Sequence, residues 1–261
     1  MKVVLVTGAS SGIGKEYARQ FAYRGYNLLL VARREELLKE IAEEFKEEYH
    51  IGIDYFACDL VSGPKAVYDY CQEKNYEVGV LINNAGYGDY GSFIEADLDK
   101  TLGMIDLNNK ALVALTYYFV KDMKERGYGT IINVGSVASF MPGPYMAVYY
   151  ATKAFVMSFS MALREELRKY NIKVSVLCPA PTRSDFWKVA ESDTSSFFND
   201  QVFRTTTQAA VTGYKLFETG KPYAIDGPGY SLLISVARLM PIELCARLVG
   251  LVQSKTKKKS D

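Results

Sequence analysis

The 261-residue sequence predicts one α/β domain of the doubly wound type: a parallel sheet of about seven strands with helices on both faces. Three observations carry the prediction. Short β-branched runs alternate with longer stretches of helical period along most of the chain. A glycine-rich turn, TGASSGIG, lies directly between the first run and the first helix. The composition, 49% hydrophobic, fills one large core, and no repeat, linker or composition shift marks a second domain.

The elements follow in order. KVVLVTG is the first strand, and helical periodicity runs from residue 13 to about 24, where Gly25 ends it. YNLLLVAR is the second strand. EELLKEIAEEFKEEY is a charged amphipathic helix with Leu37, Ile41 and Phe45 at i, i+4 and i+8. IDYFAC is the third strand and EVGVLINNAG holds the fourth; residues 97 to about 126 read as one long helix, and TIINVGS as the fifth strand. AVYYATKAFVMSFSMALREELRKY is another long helix and KVSVLCP the sixth strand. After Pro181, polar and aromatic residues mix without a strong period, so residues 184–206 read as a substrate loop, mobile or built of short helices, lying over a site. TTTQAAVTGYKLFETG is a further helix, and KPYAIDG closes the sheet as a seventh strand. Residues 1–227 therefore form the domain, 228–253 a helical extension of it, and 254–261, which contains KTKKK, a disordered basic tail.

Composition excludes several functions. Lys and Arg number 31 against 30 Asp and Glu, so no broad electrostatic attraction to nucleic acid is expected. Cys58, Cys71, Cys178 and Cys245 are widely spaced with no CxxC pair, and the one histidine, His50, follows an acidic helix and reads as a surface residue. Neither a metal cluster nor a disulfide framework is expected, and Cys58 and Cys178, which close apolar runs, read as buried free thiols. The N-terminal apolar run is too short for a signal peptide, so a cytoplasmic protein is expected. In GYSLLISVARLMPIELCARLVGLVQ, Arg238, Pro241, Glu243 and Arg247 interrupt the apolar residues short of a spanning length. Such a helix could touch an anionic membrane surface, but packing on the domain or a partner subunit is the favoured reading.

TGASSGIG supplies Gly8, Ser10, Ser11, Gly12, Ile13 and Gly14 at a strand-to-helix turn, where backbone amides and the helix dipole meet a pyrophosphate. The glycine order is not GxGxxG. The second strand ends LLLVARRE, and Arg33 there is placed to fork a 2′-phosphate, which suits NADP; Arg34 is left open between a phosphate partner and a solvated charge. In AVYYATKAF, Tyr149 stands at i−4 and Tyr150 at i−3 from Lys153, so both tyrosines neighbour the lysine and helical spacing alone does not choose between them.

TGASSGIG after the first strand, CDL at 58–60, NNAG at 83–86, Ser136, and YxxxK at 149–153 come in this order between residue 3 and about 186. Together they resemble the short-chain dehydrogenase/reductase family, NADP-preferring type. The resemblance implies a Rossmann fold, an NADP cofactor and hydride transfer between a carbonyl and an alcohol. It places Asp59, with Leu60 beside it, at the adenine, and Asn83, Ala85 and Gly86 along the cofactor, although Asn83 equally suits a role tying strands together. Ser136, 13 residues before Tyr149 as in the family, selects Tyr149 over Tyr150 as the acid or base. Lys153 would hold the nicotinamide ribose, and Asn108, rather than Asn109, would support a proton relay. Pro179 follows the sixth strand; Ala180 replaces a family glycine, and Ser184, or alternatively Thr182, takes the place of the threonine that meets the nicotinamide amide.

The chemistry needs these residue types. Reducing a carbonyl places negative charge on its oxygen, which requires a hydrogen-bond donor, here Ser136, and then a proton. A tyrosine with its usual pKa of about 10 yields that proton reluctantly, and a nearby ammonium such as Lys153 is expected to lower it. Tyr87, Phe140, Met141, Tyr145, Phe186 and Trp187 are the expected substrate pocket, suited to an apolar or aromatic ketone, aldehyde or 3-oxoacyl compound, with reduction as the working direction. The family suggests a homodimer or homotetramer. A catalytically silent dinucleotide-binding regulator is the alternative; such a protein would have no need of Asn108, Ser136, Tyr149 and Lys153 together.

Overall fold

The computed structural model describes residues 1–190, 192–193, 203–254 and 257–258. Among these, seven strands form one parallel sheet: β1 Lys2–Thr7, β2 Leu28–Ala32, β3 Ile53–Ala57, β4 Glu77–Asn83, β5 Gly129–Val134, β6 Ile172–Cys178 and β7 Tyr223–Ile225. Their order is β7-β6-β5-β4-β1-β2-β3. Alternation of side chains builds a core on each face. In β1, Val4 and Val6 enter one core while Val3 and Leu5 enter the other; in β2, Leu28 and Leu30 oppose Leu29 and Val31. Helices α1 Gly12–Ala22, α2 Glu35–Tyr49 and α7 Thr206–Thr219 cover the first face, and α3 Pro64–Glu73, α5 Leu112–Arg126 and α6 Ala147–Leu167 the second. Burial on both faces is why these strands read as nearly continuous apolar runs. The order reverses between β1 and β4, which opens a crevice at their carboxyl ends.

The helix expected over 97–126 is divided. α4 Leu98–Ile105, capped by the Asp97 side chain accepting from the Lys100 amide at 2.8 Å, runs into a π-helical turn, Asp106–Ala111, before α5 begins. A π turn widens the helix and turns two consecutive asparagines toward α6: Asn108 Nδ2 donates to Thr152 Oγ1 at 3.1 Å and Asn109 Nδ2 to the Thr152 carbonyl at 3.0 Å. Hydrophobic periodicity carries no signal for such a turn.

The loop expected over 184–206 begins with one helical turn, Phe186–Val189, and its base is a two-residue parallel ladder between Thr182–Arg183 and Arg204–Thr205. Arg204 forks the fully buried Asp226, at 3.0 and 3.2 Å, and so fixes the end of the loop. Residues 194–202 lie outside the described residues. The C-terminal extension is two helices, α8 Pro228–Ala237 and α9 Ile242–Gln253, separated where Pro241 precludes a continuous helix. No helix among the described residues is long and apolar enough to cross a membrane. Disorder was expected of residues 254–261, but Lys257–Lys258 pair antiparallel with Ser192–Asp193; the tail's other residues after Ser254 lie outside the described residues. Cys178 is buried and Cys58 only half-buried, its thiol donating to the Gly63 carbonyl, whereas full burial was expected of both; all four cysteines are free.

Candidate active site

A cavity of about 930 Å³ follows the carboxyl ends of the strands, from the glycine turn past α6 to the C-terminal helices. At one end, Gly8 adopts a φ of +65°, which L-residues rarely take, and a Cβ on Gly14 would collide with the Gly8 carbonyl. Gly14 thus packs the helix start against the turn and stays off the cavity wall, while Gly8, Ser10, Ser11, Gly12 and Ile13 line it. Asp59, Leu60, Ala85 and Gly86 line the same end, as the resemblance implied.

At this end the two arginines differ in their contacts, and one expectation, Asn83, is corrected. Arg33 and Arg34 both line the cavity, but it is Arg34 that is tied to the glycine turn: its Nη2 donates to Ser10 Oγ at 2.9 Å and to Ser11 Oγ at 2.7 Å. Ser11 makes no side-chain cap of α1, so its hydroxyl is free to accept. Asn83 does not line the cavity. It is buried and donates to Thr116 Oγ1 at 3.1 Å and Asn133 Oδ1 at 2.9 Å, joining β4 to β5 and α5. Its neighbour Asn84, which sequence reasoning missed, faces the cavity and donates to the Thr7 carbonyl at 2.9 Å, closing over the glycine turn. Asn83→Ala is therefore expected to cost about 2–3 kcal/mol in urea unfolding, since two buried partners lose a donor, with little change in dinucleotide affinity.

Ser136 stands just after β5, where its Oγ accepts from the Ala138 amide at 3.1 Å, and it lines the cavity together with Tyr149. Lys153, one helical turn after Tyr149, is buried with its Nζ donating to the Val134 carbonyl at 2.8 Å and 5.8 Å from the centre of the Tyr149 ring. Burial pushes the Tyr149 phenol up to about 12, against the opposing effect of Ser136. Burial also brings the Lys153 ammonium down to about 8. The expected lowering of the tyrosine by the lysine is not found: burial dominates at the phenol, and the ammonium is engaged by the Val134 carbonyl. Tyr150 points elsewhere, its hydroxyl accepting from Gln253 Nε2 at 2.6 Å, so the structure separates the two tyrosines.

Asn108 lies beneath the site rather than on its wall. It accepts from the Tyr87 amide at 3.1 Å, donates to the Tyr87 carbonyl at 2.9 Å, and reaches Thr152. It thereby fixes the segment after β4 against α6. A Cβ on Gly86 would meet Asn108 Oδ1 at 2.8 Å and Lys153 Nζ at 3.6 Å, which shows how closely the three converge.

Pro179, Thr182 and Ser184 line the cavity between its two ends. Thr182 Oγ1 donates to the Ala180 carbonyl at 2.8 Å, whereas Ser184 is half-buried beside Gly12. At the far end Tyr87, Met141, Phe186 and Trp187 line the cavity as expected, with Phe186 5.2 Å from the Tyr149 ring. Phe140 and Tyr145 do not. Phe140 packs on Tyr223 at 5.8 Å beside the β6 core, and Tyr145, at a φ of +65°, is 40% exposed and lies against Tyr90. In their place the C-terminal helices supply an apolar wall, including Leu233, Ile234 and Met240, together with Leu248, Val249 and Val252 of α9. The sequence held a signal for this wall in the apolar period of 228–253, but amphipathic periodicity does not distinguish a cavity wall from a surface face.

A family profile described as short chain dehydrogenase matches residues 2–195. The very-long-chain 3-oxoacyl-CoA reductase of Laccaria bicolor is 36% identical over 177 residues, covering 66% of this chain and 52% of that protein; the chain thus spans about half the length of this curated relative. A short-chain dehydrogenase from Sphingobium yanoikuyae, solved with NADPH, superposes with a TM-score of 0.82 at 32% identity, over 90% of this chain and 93% of that one. The bulky-bulky ketone specific alcohol dehydrogenase from Comamonas testosteroni gives 0.78 at 31% identity, over 91% and 92%.

Proposed function

The chain belongs to the short-chain dehydrogenase family, and from that premise we propose that it is an NADPH-dependent oxidoreductase that reduces the carbonyl of an apolar ketone, aldehyde or 3-oxoacyl compound. The observation that carries this reading is the convergence of Ser136, Tyr149 and Lys153 midway along one cavity, between a glycine turn braced by Arg34 and an apolar pocket. The residues present fit the cofactor. The turn has no side chain where the backbone must approach a pyrophosphate, and Arg34, with Arg33 beside it, suits a 2′-phosphate. Asp59, Leu60 and the 84–86 segment would flank the nucleoside, and Lys153 the nicotinamide ribose. When bound, NADPH supplies the hydride.

The chain's own residues manage the substrate oxygen. Ser136 donates a hydrogen bond to it as negative charge develops, and Tyr149 delivers the proton from Oη. A phenol held near 12 remains protonated throughout the neutral range, so it carries the proton that reduction consumes, although it is a weaker acid than an ordinary tyrosine. Lys153, placed beside it, supplies positive charge only below about pH 8. The sign follows: its ammonium deprotonates as pH rises through its depressed pKa, so kcat for reduction is expected to fall above about pH 8. A pH–rate profile checks this, and a rate that is level up to pH about 10, the usual lysine value, would exclude Lys153 as the controlling group.

One relative is named for a very-long-chain 3-oxoacyl-CoA and one solved neighbour for bulky ketones. The apolar pocket of this chain suits either. Free thiols support a cytoplasmic location, and exposed Leu98, Leu102, Ile105 and Tyr117 along α4 and α5 support a homodimer or homotetramer. The test is NADPH consumption, followed optically, over ketones, aldehydes, quinones and 3-oxoacyl thioesters. Turnover of an apolar carbonyl is the expected result; tight NADPH binding without turnover of any of them would favour a silent regulator.

A further inference from the structure

Gln253, the last residue of α9, is held between two tyrosines. Tyr90 Oη donates to its carbonyl at 2.7 Å, and its side-chain Nε2 donates to Tyr150 Oη at 2.6 Å. Both tyrosines line the cavity, outside the set of Ser136, Tyr149 and Lys153. Tyr90 follows β4, with its amide donating to the Ala190 carbonyl at 3.1 Å, and Tyr150 is the neighbour of Tyr149, their ring centres 6.1 Å apart. Among the described residues, α9 is otherwise held by its buried Cys245 and, just beyond its end, by an antiparallel pairing of Lys257–Lys258 with Ser192–Asp193. Cys245 is its one fully buried residue, while Ile242 and Leu251 are 72% and 65% exposed. A helix of 12 residues is marginal on its own, so its position depends on its few attachments.

We propose that Gln253 is a positioning residue that sets chain-length specificity: its hydrogen bond to Tyr150 holds α9 as the far wall of the cavity, so that substrates long enough to reach Leu248, Val249 and Val252 are favoured over short ones. The proposal rests on the carbonyl-reductase reading and adds a determinant to it. The attachment uses half of the amide, since Gln253 Oε1 is buried without a partner. Gln253→Met, of similar length, removes the donor and the unpartnered acceptor together, so loss of the attachment is separated from loss of packing.

Trp187 is the only tryptophan and lines the cavity, so its fluorescence reports ligand binding without turnover. Methyl decyl ketone and methyl ethyl ketone are titrated into the full chain with NADP+ present, which fills the dinucleotide end and has no hydride to transfer. Wild type is expected to bind the longer ketone more tightly. Gln253→Met and Tyr150→Phe are each expected to weaken that binding about 10-fold, the worth of roughly two buried methylenes, and to change the short ketone by less than about 2-fold. The double variant should be no weaker than either single one, because both remove the same bond. Equal losses for both ketones, no loss in either variant, additive losses, or a wild type without preference for the longer ketone would each overturn the proposal. If wild type binds the ketones as expected but reduces neither, the reductase reading fails while the titration still decides the role of Gln253.

Discussion

Tyr149→Phe is expected to lower kcat for carbonyl reduction by about 10³-fold, within the range that a positioned general acid contributes. The substitution removes one oxygen. The Phe ring keeps the packing of Tyr149 against Phe186 and Tyr150, at 5.2 and 6.1 Å, so the thermal midpoint should move little. NADPH affinity should also be retained, since the glycine turn and Arg34 lie at the other end of the cavity. Tyr150→Phe is the matched control, one residue along the same helix and also losing one hydroxyl. Its hydroxyl meets Gln253 and not Ser136, so turnover of short ketones should survive. Steady-state kinetics on the pair separates the two roles, and a dead Tyr150→Phe beside an active Tyr149→Phe would reverse the assignment.

Arg34→Ala is expected to raise the NADPH dissociation constant about 10²-fold and to leave NADH binding nearly unchanged. A charge-assisted hydrogen bond contributes about 1.5–3 kcal/mol, and a guanidinium offers a phosphate two such bonds, part of which water recovers once the site is opened. The loss should exceed that of Arg33→Ala. Both arginines are exposed, but Arg34 is already oriented by Ser10 and Ser11, so less side-chain entropy is lost when it meets a phosphate than for Arg33, which no such bond ties to the glycine turn. Titration of both cofactors into both variants decides the order. A larger loss at Arg33 would restore the ranking that strand position alone suggests.

The order of strands and helices was legible in the sequence because each central strand is buried on both faces and each covering helix shows its apolar stripe. The motif residues were located through the resemblance, whose spacing from Ser136 chose Tyr149 where helical spacing did not, and the structure sets Ser136, Tyr149 and Lys153 on one cavity. What escaped was the choice between adjacent like residues. Asn83 and Asn84 sit at the end of β4, where a one-residue step exchanges a strand tie for the cavity wall. Arg33 and Arg34 differ likewise: both lie where β2 hands over to α2, and only the backbone path decides which one meets the glycine turn. The π turn at 106–111 was invisible because an inserted residue leaves the apolar pattern on either side intact. Phe140 and Tyr145 were misplaced because an aromatic residue near a site serves a core as well as a pocket. The wall from α8 and α9 was missed for the same reason in reverse, since an apolar helix face gives no local sign of what it covers.

Transfer of deuterium tests the central claim most directly. The enzyme is incubated with an apolar ketone and NADPH carrying deuterium on the nicotinamide carbon that donates the hydride, and the product is read by mass spectrometry. The account predicts one deuterium on the carbinol carbon of the alcohol, formed by wild type and not by Tyr149→Phe. Label retained on the dinucleotide while the protein binds both compounds, or label transfer undiminished in Tyr149→Phe, would contradict it.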